Sequence, residues 1–484
     1  MSKVFRIFLL IAILLPLAAS AALLDNCAVV RLKDNGGVDP SFGKGGVTLL
    51  PLGAYSRVSR ILAGPNKDFL VFGENQLGAN INEANVTKLS PGGKTDPRFG
   101  AGTGVHPGIS YTRFGQGGSL AAADAVLDDA ARSGKIAFVL LGRYGVILPE
   151  ENRIRTNTLN LGRFFYADAG ADPSFGKEGY VFQNTGLESF DPVAIKARPG
   201  GGFLVAGSGR ESDGGNVLLV YAFLPNGQRD ESFGKDGCAS SPVPSLFSYG
   251  QATGLGIDLT GTIFVCGTYH TTDRTSRIVV ASFTAEGRVN PAFNAGKTPG
   301  FLAIMDWRLT RVSADALSVV YRRTAGNRPL PALRGRRAAP NPGGLGEEIV
   351  LAGVRDQNFS GPGVMDALII KLTPDGKFIS SFGEGGFRAV PATAMDAGSP
   401  RLVLHALDTD SKGRFILAGC LRPKNDVFSG RAFVARFDKE MSFDESFARK
   451  GIALVSADPS LKFQSVTAMA GQEDGSLLVG LSFY

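Results

Sequence analysis

The stretch that decides the fold is VDPSFGKGG, which runs from Val38 to Gly46. Close copies of it return along the chain as TDPRFGAGTG, ADPSFGKEG and RDESFGKDG. Seven phenylalanines mark the equivalent position: Phe42, Phe99, Phe175, Phe233, Phe293, Phe382 and Phe447. Self-similarity at a roughly regular spacing of this length indicates a repeat protein and not a chain of unrelated domains.

Each copy has the residue types of a short capped turn. Three residues before the phenylalanine stands Asp39, Asp96, Asp172, Asp230, Asn290, Ile379 or Asp444. An Asp or Asn side chain caps such a turn by accepting the backbone N–H two or three residues later. Pro suits the first position of the turn, and Gly or Asn after the phenylalanine can take the left-handed conformation that ends it. We therefore expect each phenylalanine to plug the seam between neighbouring units, with looser turns around Ile379 and Ala448.

Between these turns the apolar residues alternate with a period of two, which is typical of β-strands. After Phe175 the runs are GYVFQ, PVAIKARPGG, GFLVAGS and NVLLVYAFLPNG. Gly, Asn, Asp and Pro separate the runs, as expected of turns. Four strands in a unit of about 60 residues is the proportion of a propeller blade.

The two chain ends indicate a closed ring. After Phe447 only three runs follow, GIALVS, FQSVTAMA and SLLVGLSFY, and one spare run, CAVVRL, precedes Phe42. An N-terminal strand that completes the last blade leaves no terminal edge open for pairing. We predict an all-β fold, a seven-bladed β-propeller with four antiparallel strands per blade, as a single domain over residues 22–484.

The connector Asp-Pro-Ser-Phe-Gly, followed later in the unit by a strand of the pattern Gly-φ-φ-φ-Ala-Gly (Gly202 to Gly207), resembles the delta-60 repeat family of bacterial β-propellers. The resemblance covers nearly all of residues 27–484. It implies a propeller in exported or surface proteins. The family carries no assigned activity, so the resemblance implies no role for any position of this chain.

Residues 1–21 have the features of a signal peptide. Lys3 and Arg6 precede the apolar run from Ile7 to Leu15, and Ala19-Ser20-Ala21 is a small-residue cleavage site. We expect an exported protein, periplasmic or extracellular, with no transmembrane segment in the mature chain. The net charge of +7 for the whole chain is mild and does not favour a nucleic-acid partner.

Few residues fit a catalytic or metal-binding pattern. The histidines His106, His270 and His405 form neither a near pair nor an HExxH motif, and a core or half-buried position is expected for His405. Trp307, the single tryptophan, is expected to pack within a blade. The sequence therefore predicts no catalytic residue, metal or cofactor.

Two local patterns resemble metal sites only in part. The cysteines lack the close pairs of a zinc site, and after export three disulfide pairings remain open among them: Cys27, Cys238, Cys266 and Cys420. The segment DTDSKG, Asp408 to Gly413, matches only part of a calcium loop because Lys412 stands next to the glycine. An ordinary turn between strands is favoured there.

An insertion at residues 321–346 is the main candidate binding segment. It holds six arginines and no acid before Glu347: Arg322, Arg323, Arg328, Arg334, Arg336 and Arg337. Its Pro and Gly content indicates an exposed loop, placed by strand count on the face of the connector turns. Clustered guanidinium groups suit phosphate, sulfate or carboxylate, and a merely solvated loop is the alternative. A second insertion, Arg143 to Thr158, is expected on the opposite face.

These features favour an exported, monomeric binding or scaffold module, not an enzyme, whose partner is an anionic envelope polymer or a protein. The alternative is a carbohydrate-active hydrolase or lyase with carboxylates from several blades at the mouth of the central channel. A purely structural role in a surface assembly is the third reading. An enzyme should show Asp, Glu or His side chains with shifted pKa values converging at the axis.

Overall fold

The fold consists of seven β-sheets. The computed structural model describes residues 27–52, 56–78, 81–101, 108–112, 119–128, 135–148, 153–155, 157–198, 201–273, 275–306, 312–313, 316–322, 346–356, 364–410, 412–424, 426 and 429–483. Within this part of the chain, every sheet is antiparallel and has four strands, and one sheet gains a short fifth strand. One short helix, α1 (Ala392–Met395), follows the fifth sheet. The prediction of an all-β fold is confirmed.

The first three sheets follow one another along the chain. Blade one holds β3 (Arg57–Ala63), β4 (Phe69–Gly78), β5 (Ile81–Leu89) and β6 (Ile109–Thr112). Blade two holds β7 (Ser119–Asp128), β8 (Ala137–Leu148), β10 (Thr158–Phe165) and β11 (Tyr180–Asn184), with β9 (Arg153–Arg155) beside β8. Blade three holds β12 (Ser189–Ala197), β13 (Phe203–Arg210), β14 (Asn216–Phe223) and β15 (Cys238–Pro242).

The remaining four sheets close the ring. Blade four holds β16 (Phe247–Ile257), β17 (Ile263–Thr271), β18 (Ser276–Phe283) and β19 (Phe301–Ala303). Blade five holds β20 (Ala316–Arg322), β21 (Gly346–Asp356), β22 (Met365–Leu372) and β23 (Phe387–Pro391). Blade six holds β24 (Arg401–Thr409), β25 (Phe415–Arg422), β26 (Arg431–Phe437) and β27 (Ile452–Val455). Blade seven holds β28 (Gln464–Gly471), β29 (Leu477–Phe483), β1 (Cys27–Leu32) and β2 (Val47–Leu50).

The sheets are arranged around a central axis. Their first strands contact one another in a closed circle, in the order β3, β7, β12, β16, β20, β24, β28 and back to β3. All of them run in the same direction, because each sheet starts at its innermost strand and ends at its outermost one. The molecule is therefore a seven-bladed β-propeller, as the sequence predicts.

Ring closure uses two strands from each end of the chain. The N-terminal strand β1 pairs with β29, as predicted, and β2 also joins this last sheet by pairing with β1. The run GIALV, expected in the last blade, is instead β27 and pairs with β26 of blade six. The reason is that each connector turn joins the third and fourth strands of one sheet, so the run after each phenylalanine completes the preceding blade.

The connector turns have the predicted geometry. In one of them Asp172 accepts the N–H of Ser174 at 3.0 Å, and the other Asp or Asn copies make the same bond. The residue after the phenylalanine has a positive φ in all seven turns, including Ala448 at 44°. The turns at Ile379 and Ala448 also close by the usual backbone bond at 2.9 Å, so the expected loosening is not seen there.

The seven phenylalanines lie in the seams between blades. All are at most 2% exposed. Each belongs to one of seven apolar clusters, and each cluster joins two neighbouring blades. A buried or half-buried cation lies over six of these rings at 4.1 to 5.9 Å: Arg31, Lys88, Arg163, Arg198, Lys371 and Arg436. The connector thus holds adjacent blades together. It takes no part in the innermost strands, which surround the axis.

An ion-pair cluster fixes the N-terminal ribbon to blade six. Asp34, in the turn after β1, accepts hydrogen bonds from Arg414 at 2.9 Å and from Arg436 at 2.7 Å. The Arg436 side chain is 2% exposed and also bonds to Asp444. Burial opposes ionisation of Asp34, but the two arginines outweigh it and lower its pKa. These contacts anchor the chain start on the face that carries the connector turns.

Candidate site at the axial mouth

A one-residue bulge recurs at the same place in the innermost strands. The strand register shifts by one at Ser59, Ala123, Val193, Thr253, His405 and Thr467. In blade five the pairings Val312–Arg355 and Ala316–Ala352 show the same shift between them. A bulge bends its strand and re-aims the side chains around it, and bulges are common beside functional sites. The repeat therefore presents a set of equivalent side chains to the axis.

A glycine in the second strand makes room for this inner layer. Gly207, the last residue of the Gly-φ-φ-φ-Ala-Gly pattern, lies opposite Pro192 just before the bulge. A Cβ at Gly207 would lie 2.4 Å from the carbonyl oxygen of Asp191. Gly267 and Gly419 hold the equivalent position against Gln251 and Val403. The glycine of the repeat pattern is thus required by close backbone approach.

The inner strands enclose a cavity of about 230 Å³ at the axis, near the ends where they begin. We call this cavity the axial mouth, and it is lined by Arg57, Arg143, Asp191, Val193, Gln251, Ala252, Thr253, Leu404 and His405. Arg57, Asp191 and Gln251 occupy the same position in three blades, two residues before the bulge. The mouth is therefore mainly polar and is built from five blades.

Charged groups of both signs meet at the axial mouth. Arg143 of blade two lies 2.6 Å from the carboxylate of Asp191 in blade three. Burial raises the pKa of Asp191, and Arg143 offsets this only in part. Glu74 is the cross-strand neighbour of Arg57, and burial raises its pKa against the opposing effect of Arg57 and Arg143. No described carboxylate lies within ion-pair distance of Arg57.

His405 is the bulged residue of β24 and lines the axial mouth. Burial lowers its pKa to about 4, and the positive charges of Arg57 and Arg422 act in the same direction. The imidazole is therefore neutral near pH 7. Among the described residues no group lies within hydrogen-bond distance of its two ring nitrogens. The residue is half-buried, within the expected range of a core or half-buried position.

A second layer of charged side chains lies deeper along the axis, and its members bond to neighbouring blades. Asp124 pairs with Arg60 at 3.4 Å and accepts the N–H of Ile195 at 3.0 Å. Asp408 accepts the N–H of Gly471 at 3.1 Å. Each of these bonds joins two neighbouring blades. The carboxylates of this layer serve to hold the ring, whereas the side chains of Arg57 and His405 at the mouth have no hydrogen-bond or ion-pair partner in the described part of the chain.

The candidate arginines of the long insertion are not at the axial mouth. Arg322 is the last residue of β20, and that end of the strand lies on the connector face, away from the mouth. Its side chain and the other five candidates lie outside the described residues: Arg323, Arg328, Arg334, Arg336 and Arg337. His106 and Trp307 also lie outside them. The binding role of these arginines stays a prediction.

The structure answers two questions that the sequence left open: the state of the cysteines and the conformation of the segment after Asp408. None of the four cysteines, all of which lie in described ranges, forms a disulfide: Cys27, Cys238, Cys266 and Cys420. The segment after Asp408 forms an ordinary turn, closed by bonds between Asp410 and Arg414, as predicted. Within the described ranges no group of three or more His, Cys, Asp or Glu side chains has the arrangement of a metal site. A search of the same ranges finds no helix with the length and apolar character needed to cross a bilayer.

No sequence motif predicts the residues of the axial mouth, because they come from different blades. Arg57, Asp191 and Gln251 are far apart in sequence and differ in type. One signal was available, since each lies a fixed distance before the residue opposite the glycine of the second strand. An alignment of the first strands on that glycine places all three at one level of the axis.

No family model matches the chain, and no curated protein matches it. Among solved structures, the polysaccharide lyase Uly1 aligns at 10% identity over 94% of this chain and 98% of that chain, with a TM-score of 0.40. The extracellular domains 1-2 of Drosophila Semaphorin 1a align at 8% identity over 81% of this chain and 88% of that chain, with a TM-score of 0.33. Likenesses of this size assign no function, which therefore rests on the chain's own residues.

Proposed function

We propose that this chain is an exported β-propeller that binds, without chemical conversion, a polymer carrying hydroxyl and carboxylate groups. The ligand group enters the axial mouth. One observation carries the proposal: Arg57 and His405 bring a cation and a neutral imidazole to one cavity, and neither side chain has a hydrogen-bond or ion-pair partner among the described residues. Arg57 is exposed and His405 is half-buried, so both side chains are open to a ligand that enters the mouth, and a few polar groups that converge in a cleft are typical of a binding site.

The mixture of groups defines the ligand chemistry. Arg57 offers donors that fit a carboxylate in a bidentate arrangement. The carboxylate of Asp191, which lines the mouth, offers acceptors, and the neutral His405 offers one donor and one acceptor. A ligand with hydroxyls as well as a carboxylate satisfies all three, whereas a purely anionic ligand would face the Asp191 carboxylate.

The size of the axial mouth favours part of a longer molecule. Pockets for small molecules usually measure roughly 300 to 1,000 Å³. The mouth measures about 230 Å³. This room suits an end group or side group of a polymer whose remainder stays outside, as expected for an envelope polymer.

The test measures retention of the wild-type chain on three immobilised polymers. Polygalacturonate carries hydroxyls and carboxylates, dextran only hydroxyls, and polyglutamate only carboxylates. We expect retention on polygalacturonate, and a roughly tenfold loss of affinity for Arg57→Gln, since hydrogen bonds to charged groups have this order of strength. Arg98→Gln, an 88% exposed arginine on the connector face, is the matched control and should bind as wild type. Absence of wild-type retention on polygalacturonate, or full retention by Arg57→Gln, would contradict the proposal.

A second candidate function is acid–base cleavage of such a polymer. The observation in its favour is that Asp191 and His405, both with shifted pKa values, line the axial mouth. Perturbed titratable groups in a cleft are typical of catalytic sites. Incubation with polygalacturonate, followed by assays of reducing ends and of unsaturated products, distinguishes the two. Shortening of the polymer by wild type but not by His405→Asn would replace binding with catalysis.

A further inference from the structure

A stacked pair of aromatic rings, of which the tyrosine is exposed and the histidine half-buried, lies beside the axial mouth. Tyr249 is 56% exposed, and its ring stacks on that of His270 with centroids 4.4 Å apart and an interplanar angle of 13°. The two residues face each other across β16 and β17. Burial lowers the pKa of His270, so the partner ring is neutral near pH 7 and stacks without burying a charge.

The local backbone turns Tyr249 outward. The register of β16 shifts between Phe247, which is buried, and Tyr249, which is exposed. Ser248, between them, donates a hydrogen bond to the carbonyl of His270 at 3.2 Å. This bond fixes the two strand ends against each other, so the stacked pair is a rigid surface feature and not a loose side chain.

Tyr249 and the axial mouth share one face of β16. Side chains two residues apart in a strand lie on the same face, and Gln251, two residues after Tyr249, lines the mouth. The separation along the strand is about 7 Å, at 3.3 Å per residue. A chain that places one unit in the mouth and leaves it along β16 therefore meets the tyrosine ring next.

A sugar ring fits this surface. The faces of aromatic rings carry negative charge density, and tyrosine offers a large, rigid, amphipathic surface at low entropic cost. The C–H face of a pyranose packs on such a ring while its hydroxyls remain in water. The other exposed large aromatic among the described residues, Phe182, lies on the outermost strand of blade two, far from the innermost strands, and provides a control.

We propose that Tyr249 and His270 form a stacking subsite for a pyranose ring of a polysaccharide whose neighbouring unit occupies the axial mouth. This inference rests on the proposed function, and it names the polymer class as carbohydrate. When one sugar unit of the polymer occupies the axial mouth, the neighbouring unit is held close to the stacking subsite. Its high effective concentration there increases the affinity for the polymer. The subsite should therefore matter for the polymer and not for a single sugar.

The experiment compares affinity for polygalacturonate with affinity for free galacturonate, measured by competition. We expect Tyr249→Ala to weaken polymer binding by roughly three- to tenfold and to leave galacturonate binding unchanged. Tyr249→Phe keeps the ring and should bind as wild type, and so should Phe182→Ala. Wild-type polymer affinity in Tyr249→Ala, with a loss in Arg57→Gln, would overturn the subsite and leave the proposed function standing. An equal loss for polymer and monosaccharide would also overturn the subsite, and absence of wild-type binding would overturn both.

Discussion

Replacing His405 by Asn tests whether the axial mouth holds a neutral imidazole. The pKa of His405 is lowered from 6.5 to about 4 by burial and by the nearby Arg57 and Arg422. As the pH falls through this window, the unfolded chain takes up a proton at His405 and the folded chain does not. The free energy of unfolding must therefore decrease as the pH decreases. The total loss is about 3 kcal/mol, at 1.36 kcal/mol per pKa unit.

The assay is urea denaturation of the wild type and of His405→Asn at a series of pH values between about 7 and 4. Other groups titrate equally in both chains, so the difference between the two curves isolates His405. The wild type should lose about 3 kcal/mol more than the variant over this range. His405→Gln, a second neutral replacement, should show the same shallow curve and separates loss of titration from loss of packing. Parallel curves, or an NMR titration of His405 with a midpoint near 6.5, would refute the reasoning.

Three further changes test the frame that positions the site. Phe175→Ala should lower the free energy of unfolding by about 3–5 kcal/mol in urea denaturation, whereas the 53% exposed Phe182→Ala should change it by less than about 0.5 kcal/mol. Asp34→Asn removes an anionic partner from two arginines and should cost about 1–2 kcal/mol, with faster hydrogen exchange in β1; unchanged exchange there would contradict the anchoring role. Gly207→Ala should cost about 1–3 kcal/mol, because its Cβ would displace the backbone of Asp191; a neutral effect in the same denaturation assay would contradict the close approach.

The connector turns were predictable because their determinants are local. An Asp cap, a buried phenylalanine and a left-handed glycine all act within a few residues, as at Asp172 and Gly176. The number of blades follows from counting such turns. The sheet that a run joins depends on distant residues, however. The assignment of GIALV to blade seven is wrong for this reason, since the run belongs to blade six. The run pairs backwards across its connector, with β26, and a pattern of alternating residues is the same for either pairing.

The axial mouth was less accessible to prediction than the fold. Its side chains come from five blades and share no motif, so only their common distance from the bulge relates them. His405 looks like a core residue in the sequence because apolar residues surround it in β24. Its bulge, which depends on the partner strand, directs it to the axis instead. The alternative of an enzyme with titratable groups at the channel mouth stays a prediction, and the sequence named no residue there.

The most direct test of the axial mouth as the ligand site is the rate of acylation of His405, measured by mass spectrometry with and without polygalacturonate. The neutral imidazole at the cavity wall reacts in the free protein. Binding at the mouth should slow its modification in proportion to the fraction of protein bound. Modification of His405 at the free rate while the protein is saturated with polymer would contradict the assignment and direct attention to another surface, such as residues 321–346.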